Sequence, residues 1–156
     1  TIYTAGIMGE STARELWVFP AEMIQMLLSA ALAGSAAYLL IMALYKVEME
    51  EVKRELGYIL MGSAFLSGAM YLGEILFARM HSEFSHRAVE ILTFGELAPM
   101  FWLGIFLTFV IPIVMVGIAN EKRRYEYTLL GSISALVGLW LVKHSWLLAP
   151  QMLPLS

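Results

Sequence analysis

The sequence predicts an all-α, polytopic membrane protein built as a bundle of four transmembrane helices. Of its 156 residues, 60% are hydrophobic and only 15% are charged. Soluble domains average about 45–50% apolar and about 25% charged residues, so the composition favours a lipid bilayer as the surroundings of this chain. The apolar residues form four runs, each long enough for the roughly 20 residues that a helix needs to cross a bilayer.

The predicted organisation is an interfacial segment, a membrane bundle and a short tail. Residues 1–19 form the interfacial segment, whose aromatic side chains suit the headgroup layer of a membrane. The bundle covers residues 20–149 and the proline-broken tail covers 150–156. The chain begins with Thr1 and shows no signal-peptide pattern, so we expect a processed chain or a piece of a longer protein.

Each apolar run predicts one helix, and polar connectors separate the runs. The connector 46–55 carries seven charged residues in ten, and residues 80–95 are also polar, so both are predicted to be loops outside the membrane. The predicted helices cover residues 21–45, 56–79, 96–119 and 126–148.

Side-chain size predicts how the helices pack. The first, second and fourth runs are rich in Gly, Ala and Ser, which let helix backbones approach closely in lipid. The third run is bulky and is expected to show more surface to lipid, with Phe101, Trp102, Phe106 and Phe109 along it. Pro112 lies in its interior, which predicts a kink because proline clashes with the carbonyl four residues earlier.

The distribution of Lys and Arg predicts the orientation. Connectors 46–55 and 120–126 hold six of the ten basic residues. By the positive-inside rule these connectors face the cytoplasm, and both termini lie outside.

Lys143 and His144 are the first candidate functional residues. Lys143 lies five residues, or about 7.5 Å, before the end of the fourth predicted helix. An ionisable residue at that depth needs a partner or a function. Glu74, near the same end of the second helix, is the expected partner of Lys143 or His144. Two interpretations stay open: an ion pair that only fixes packing, and a proton relay or quinone-headgroup site.

Four further polar residues are expected at the same end of the bundle. Glu22 and Gln25 share one face of the first helix, and Tyr71 shares a face with Glu74 on the second. Glu96 opens the third predicted helix. For Glu22 and Glu96 the plainer interpretation is a carboxylate that stabilises a helix N-terminus.

Composition also limits the cofactors and partners. The chain contains no cysteine, which rules out disulfides and Cys-ligated iron–sulfur clusters within it. His81 and His86 fall in a predicted loop, so a haem with two helix-borne histidines is not expected. The charge of −3 is not gathered into a basic patch, so nucleic acid is not an expected partner.

The chain resembles the NrfD/polysulfide-reductase family of membrane subunits, and the similarity lies with the C-terminal half of that family. The stretch Trp17–Pro20, leading to Ser29–Gly34, is similar to the helix that opens the family's second bundle, and Glu74 lies where a helix glutamate is common. The aromatic run Phe101–Gly104, leading to Ile111–Pro112, is similar to the family's aromatic helix that ends in proline. The stretch Gly131–Val142 and the tail after it are similar to the family's closing helix and tail. Family members have two bundles and usually an arginine–tyrosine pair where this chain has Lys143 and His144. One bundle is present here, so the chain is expected to be a fragment, about half of a larger two-bundle protein, or else an unusually short subunit.

The resemblance implies a subunit of a respiratory oxidoreductase in the inner membrane of a prokaryote. The implied partners are a ferredoxin-like iron–sulfur subunit and a molybdopterin or multihaem catalytic subunit, and the implied electron carrier is menaquinone or ubiquinone. No metal or redox centre is expected in this chain. Two alternatives stay open: a proton or ion transport module, whose aqueous path would follow the polar stripe of the second helix, and a purely structural anchor.

Overall fold

The computed structural model describes Tyr3 and residues 19–81, 83–122 and 126–153. These residues form helices and turns and contain no strand. In chain order the elements are α1 (Phe19–Leu44), α2 (Glu50–His81), α3 (Glu83–Thr93), α4 (Ala98–Ile105), a π-helical turn (Phe106–Val110), α5 (Ile111–Lys122), α6 (Glu126–Leu148) and a 3₁₀ turn (Ala149–Met152). The predicted interfacial segment, apart from its last residue and Tyr3, lies outside the described residues, as do residues 154–156 of the tail.

Four spans in the described part of the chain are long and apolar enough to cross a membrane. They are α1, α2, the third span formed by α4, the π turn and α5, and the fourth span formed by α6 with the 3₁₀ turn. The predicted all-α polytopic bundle is therefore confirmed, and the chain is a multi-pass membrane protein.

The prediction of a polar loop over residues 80–95 is wrong. The second helix continues to His81, and α3 follows over Glu83–Thr93, so His81 and His86 are helical. Overall polarity concealed an amphipathic pattern at helical spacing. Ala88, Val89 and Leu92 are buried, while Glu83 and other charged side chains lie on the exposed face.

Two predicted helix starts also differ from the structure. Residues 50–55 belong to α2 rather than to a loop, and Glu50 and Glu51 lie in its first turn, where carboxylates suit the helix dipole. Glu96 lies in a turn, because the third span begins at Ala98 with Pro99 in its first turn. Glu96 is exposed and does not open a helix.

The helix irregularity expected at Pro112 takes the form of a π turn. The N–H of Ile111 donates to the carbonyl O of Phe106, five residues earlier, and the π turn ends at Val110. Proline is a common reason for such local adjustments, because it has no N–H to donate. Pro112 itself is buried in the bundle.

Span α6 lies at the centre of the bundle. It packs against α1 and against every part of the third span, while α2 packs against α1, α5 and the short α3. A Cβ added at Gly138 of α6 would lie 2.5 Å from Oγ1 of Thr108 in the π turn, and one added at Gly104 would lie 2.9 Å from the backbone N of Val142. Glycine is therefore required where the third and fourth spans touch.

The bulky third span is less exposed than the sequence suggests. Phe101 and Phe109 are buried, whereas Trp102 and Phe106 face outward. The expectation of a lipid-facing helix thus holds for half of its large aromatic residues. The buried pair contributes to an aromatic cluster that surrounds Tyr71.

Candidate functional site

Glu22 is a buried carboxylate in the first turn of α1. Its side chain is 4% exposed, and its Oε1 accepts a hydrogen bond of 2.7 Å from Nε1 of Trp146, on the last turns of α6. A carboxylate suits a helix N-terminus, but here a donor from another helix also satisfies one of its oxygens. The contact joins α1 to α6 at the end of the bundle where the sequence predicted the candidate residues.

Lys143 faces the second oxygen of the same carboxylate. It precedes Trp146 by three residues, so the two side chains share one face of α6. Its Nζ lies 4.0 Å from Oε2 of Glu22, and its side chain is 17% exposed. A distance of 4.0 Å is longer than a direct hydrogen bond and shorter than the roughly 5–5.5 Å that a water between two polar atoms would span, so the two groups form an ion pair without a hydrogen bond. Neither Nζ nor Oε2 has a hydrogen-bond partner among the described residues.

Tyr71 of α2 forms the third side of the cluster. Its ring is buried, 5.0 Å between centroids from Trp146, and it also packs against Phe101 and Phe109. The Nζ of Lys143 lies 5.8 Å from its ring centroid, within the range of a cation–π interaction. The hydroxyl of Tyr71 has no hydrogen-bond partner in the part of the chain that the structure describes. Three spans therefore each supply one buried polar atom without a hydrogen-bond partner among the described residues.

A second polar contact fixes α1 against α2 below this cluster. The hydroxyl of Ser67 donates to Oε1 of Gln25 over 2.8 Å, and Nε2 of Gln25 lies 3.3 Å from the carbonyl O of Ser67. Ser29 donates to the backbone carbonyl of Gln25. These groups satisfy one another, so they hold the helices in place and leave no polar atom directed at a ligand.

The structure brings together three of the seven predicted site residues, Glu22, Tyr71 and Lys143. It places a fourth, Gln25, in the neighbouring contact with Ser67. It does not bring His144 or Glu96 to them. His144 is exposed and stacks on Trp140, with ring centroids 5.1 Å apart, and Glu96 lies exposed in a turn.

Glu74 is half-buried on α2, one turn beyond Tyr71. The sequence favoured Glu74 as the carboxylate beside Lys143, and in the structure that carboxylate is Glu22. His144 faces outward because consecutive helix residues point about 100° apart, so it turns away from the core when Lys143 faces it.

Sequence reasoning did not single out Trp146, whose indole contacts the carboxylate of Glu22. Its signal was its spacing of three from Lys143, which places both on one helix face. No sequence pattern linked it to Glu22, because 124 positions separate the two residues.

Metal ligands are not gathered anywhere in the described ranges. No group of three or more His, Asp or Glu side chains there could hold a metal ion. The cluster instead consists of one carboxylate, one amine, one phenol and one indole, which can donate, accept and hold protons.

The family comparison decides the wider context. The model of the family described as polysulphide reductase, NrfD, matches residues 1–154. The chain belongs to the NrfD family. It is accordingly a membrane subunit of a respiratory oxidoreductase complex. Neither the search of curated proteins nor the search of solved structures gave a match.

Proposed function

We propose that this NrfD subunit exchanges protons and electrons with the quinone pool, and that Glu22, Lys143 and Tyr71 handle the protons. The observation that carries the proposal is the buried pair of Glu22 and Lys143, held 4.0 Å apart with both facing atoms unpartnered. An ion pair that served only packing would gain most from direct contact and full hydrogen bonding. A separated pair instead leaves an acceptor and a donor available to a proton carrier.

Trp146 gives the carboxylate of Glu22 a fixed direction. Its indole N–H occupies Oε1, so Oε2 is the oxygen left to face Lys143. A proton arriving at this site can be held on Oε2 or on Nζ, and a small side-chain movement would bring the two atoms within hydrogen-bond distance. Trp146 is thus a positioning residue, and Glu22 and Lys143 are the groups that carry the proton.

Tyr71 extends the site toward α2. A buried phenol can donate a proton and accept one without the desolvation cost of a permanent charge. Gln25 contributes by holding α1 and α2 together. We keep Glu74, one turn beyond Tyr71, as the candidate for the next step toward the end of the bundle.

This chain would hold no redox centre of its own, so electrons would pass between a quinone and the clusters of a partner subunit. A quinone supplies two-electron redox chemistry and takes up or releases protons as it reacts. Menaquinone or ubiquinone is the expected carrier. Electrons would come from or go to a ferredoxin-like iron–sulfur subunit, with a molybdopterin or multihaem catalytic subunit beyond it. This assignment rests on the family and on the absence of cysteine from the sequence.

A proton or ion transport module is the less supported candidate. That hypothesis needs the polar stripe of α2 to line an aqueous path. Ser63 donates its hydroxyl to a carbonyl of its own helix at 2.7 Å, and Ser67 donates to Gln25. Hydroxyls used within the protein do not favour a water-filled path. A purely structural anchor is tested by the variants considered in the Discussion.

Purification of the native complex in mild detergent tests the proposal. Mass spectrometry of the co-purifying subunits and extracted lipids should find cluster-bearing proteins together with quinone near one molecule per complex. A homo-oligomer without cluster proteins and without quinone would overturn it, and flux assays on the transport hypothesis would follow.

A further inference from the structure

The outward face of α6 carries large side chains along most of the span. Leu130, Ile133, Val137 and Trp140 are exposed, and His144 continues the same face. The five residues are spaced alternately by three and four positions, so they form one stripe along the helix, the α6 stripe. The other sides of α6 pack against α1 and the third span. Within the described bundle, the stripe is therefore an uncovered surface.

His144 places an ionisable group of the stripe inside the membrane. The fourth span covers Glu126–Met152, 27 residues. Its length of about 40 Å exceeds the hydrocarbon core, which is about 30 Å thick. His144 lies about 12 Å from the Met152 end, so it lies about 7 Å inside the core when the span is centred. Ionisable residues at such a depth nearly always face the inside of a bundle or a cavity, because lipid cannot satisfy them.

Trp140 holds the imidazole toward the middle of the membrane. The two rings are nearly parallel, at 6°, and their centroids lie 5.1 Å apart. Trp140 lies one turn deeper than His144, so the stack directs the imidazole away from the headgroups. Tryptophan itself prefers the headgroup layer, and this one lies near the middle of its span. Both side chains are therefore unsuited to a surface that faces lipid.

The outward faces of the other spans are apolar in their middle parts. Phe65 and Leu66 are exposed there on α2, and Phe106 and Val110 are exposed there on the third span. The first span exposes alanines at its middle. Those faces suit lipid, whereas the α6 stripe needs a partner helix that can hydrogen-bond with His144.

We propose that the α6 stripe packs against the α6 stripe of a second copy of this chain, with the two His144 imidazoles hydrogen-bonded across the contact. Copies of one sequence cross the membrane in the same direction, so a twofold axis along the membrane normal brings each residue of the stripe to its own counterpart. A neutral imidazole has one donor and one acceptor, so two of them at one depth can pair. This contact goes beyond the proposed exchange with quinone and does not rest on it.

A second copy accounts for the polar group without a further assumption. Another subunit would need a hydrogen-bonding side chain at the depth of His144, whereas twofold symmetry supplies one. A different face of the copy would set His144 against apolar side chains, so the contact is between identical faces and closes at a dimer. The alternate spacing of three and four positions is that of two parallel helices in a left-handed pair, and Leu130, Ile133 and Val137 supply its apolar packing.

Disulfide cross-linking in native membranes tests the contact, and the sequence contains no cysteine that would interfere. Val137→Cys, in the middle of the stripe, should form a disulfide-linked dimer of the chain on mild oxidation. Leu66→Cys is the matched control, because Leu66 is 54% exposed on α2 and Val137 is 51% exposed on α6. The control should give at most about a tenth as much dimer, since Cα atoms more than about 7 Å apart cannot be bridged.

Variants of His144 in the Val137→Cys background test the polar contact. His144→Ala should lower the initial rate of cross-linking about threefold or more, in the range of one hydrogen bond between membrane helices. His144→Asn keeps a donor and an acceptor and should restore most of that rate. An asparagine variant no better than the alanine variant would overturn the pairing of the two imidazoles.

The remaining outcomes decide what covers the stripe. Failure of Val137→Cys to form a dimer, or equal dimer from Leu66→Cys, would overturn the contact. A photoreactive benzoylphenylalanine in place of Val137, in cells that also make a differently tagged copy, should label α6 of that copy. Label on another polypeptide, or on another helix of this chain, would overturn the dimer and leave the exchange with quinone standing.

Discussion

Trp146 and Glu22 join the end of the last span to the start of the first through a buried hydrogen bond of 2.7 Å. The carboxylate can meet Lys143 with only its other oxygen, because the indole occupies the first. The candidate site is therefore formed only when α1 and α6 are packed together, so its chemistry and the closure of the bundle depend on the same contact.

Replacement of Trp146 tests this dependence. Trp146→Phe keeps an aromatic ring but leaves Oε1 of Glu22 without its donor, which should cost about 1–3 kcal/mol. We expect a lower midpoint of thermal unfolding in detergent. Trp140→Phe is the control, because Trp140 is 63% exposed on the same helix. An equal shift in both variants would contradict a specific role for the indole N–H.

The buried ion pair gives a second prediction. Glu22→Gln or Lys143→Met leaves one buried charge without its partner and should destabilise the protein by about 3–5 kcal/mol, whereas the double variant should recover part of the loss. The exposed pair Glu83 and Arg87, with side chains 79% and 63% exposed, is the control, and its removal should cost less than about 1 kcal/mol. Unfolding in mixed micelles measures all of these variants.

The proton-handling role makes a further prediction for the same residues. In assembled complex, Glu22→Gln and Lys143→Met should each lower quinol-linked turnover at least about tenfold, in the range ascribed to general acid–base groups. His144→Ala should leave turnover within a factor of about two, because His144 stacks on Trp140 away from the pair. Unchanged turnover in the Glu22 and Lys143 variants, at normal assembly, would favour a structural anchor.

Glycine at position 138 gives a prediction about packing. Gly138→Ala places a Cβ 2.6 Å from the backbone N of Thr108, so α6 and the third span must move apart at a cost of about 1–3 kcal/mol. Gly62→Ala is the control, because an added Cβ there meets nothing within 4 Å. The control should be neutral or slightly stabilising, since Ala favours helices more than Gly. Thermal unfolding in detergent compares the two, and equal destabilisation would contradict the proposed close approach.

The sequence predicted the fold class well because hydropathy and run length are properties of single segments. It predicted α3 wrongly, since a short amphipathic helix is polar on average and reveals itself only through the spacing of Ala88 and Leu92. It placed Lys143 at the site but gave it Glu74 as a partner. The actual partner, Glu22, is decided by the rotation of α1 and α6 about their axes, which depends on packing across the whole bundle. The hydrogen bond from Trp146 to Glu22 depends on the same rotation of α1 and α6, so the sequence could not predict it either.

The π turn determines which side of the third span meets the centre of the bundle. Gly104 approaches Val142 of α6, and Pro112, eight residues later, approaches Gly131 of α6. In an uninterrupted α-helix, eight steps of about 100° would point Pro112 about 80° away from the direction of Gly104. The wider turn absorbs that angle, so both halves of the span face the same neighbour. The π turn therefore accommodates one extra residue: with one residue of Phe106–Val110 deleted, seven α-helical steps of about 100° would come within about 20° of two full turns, and both halves of the span would still face α6.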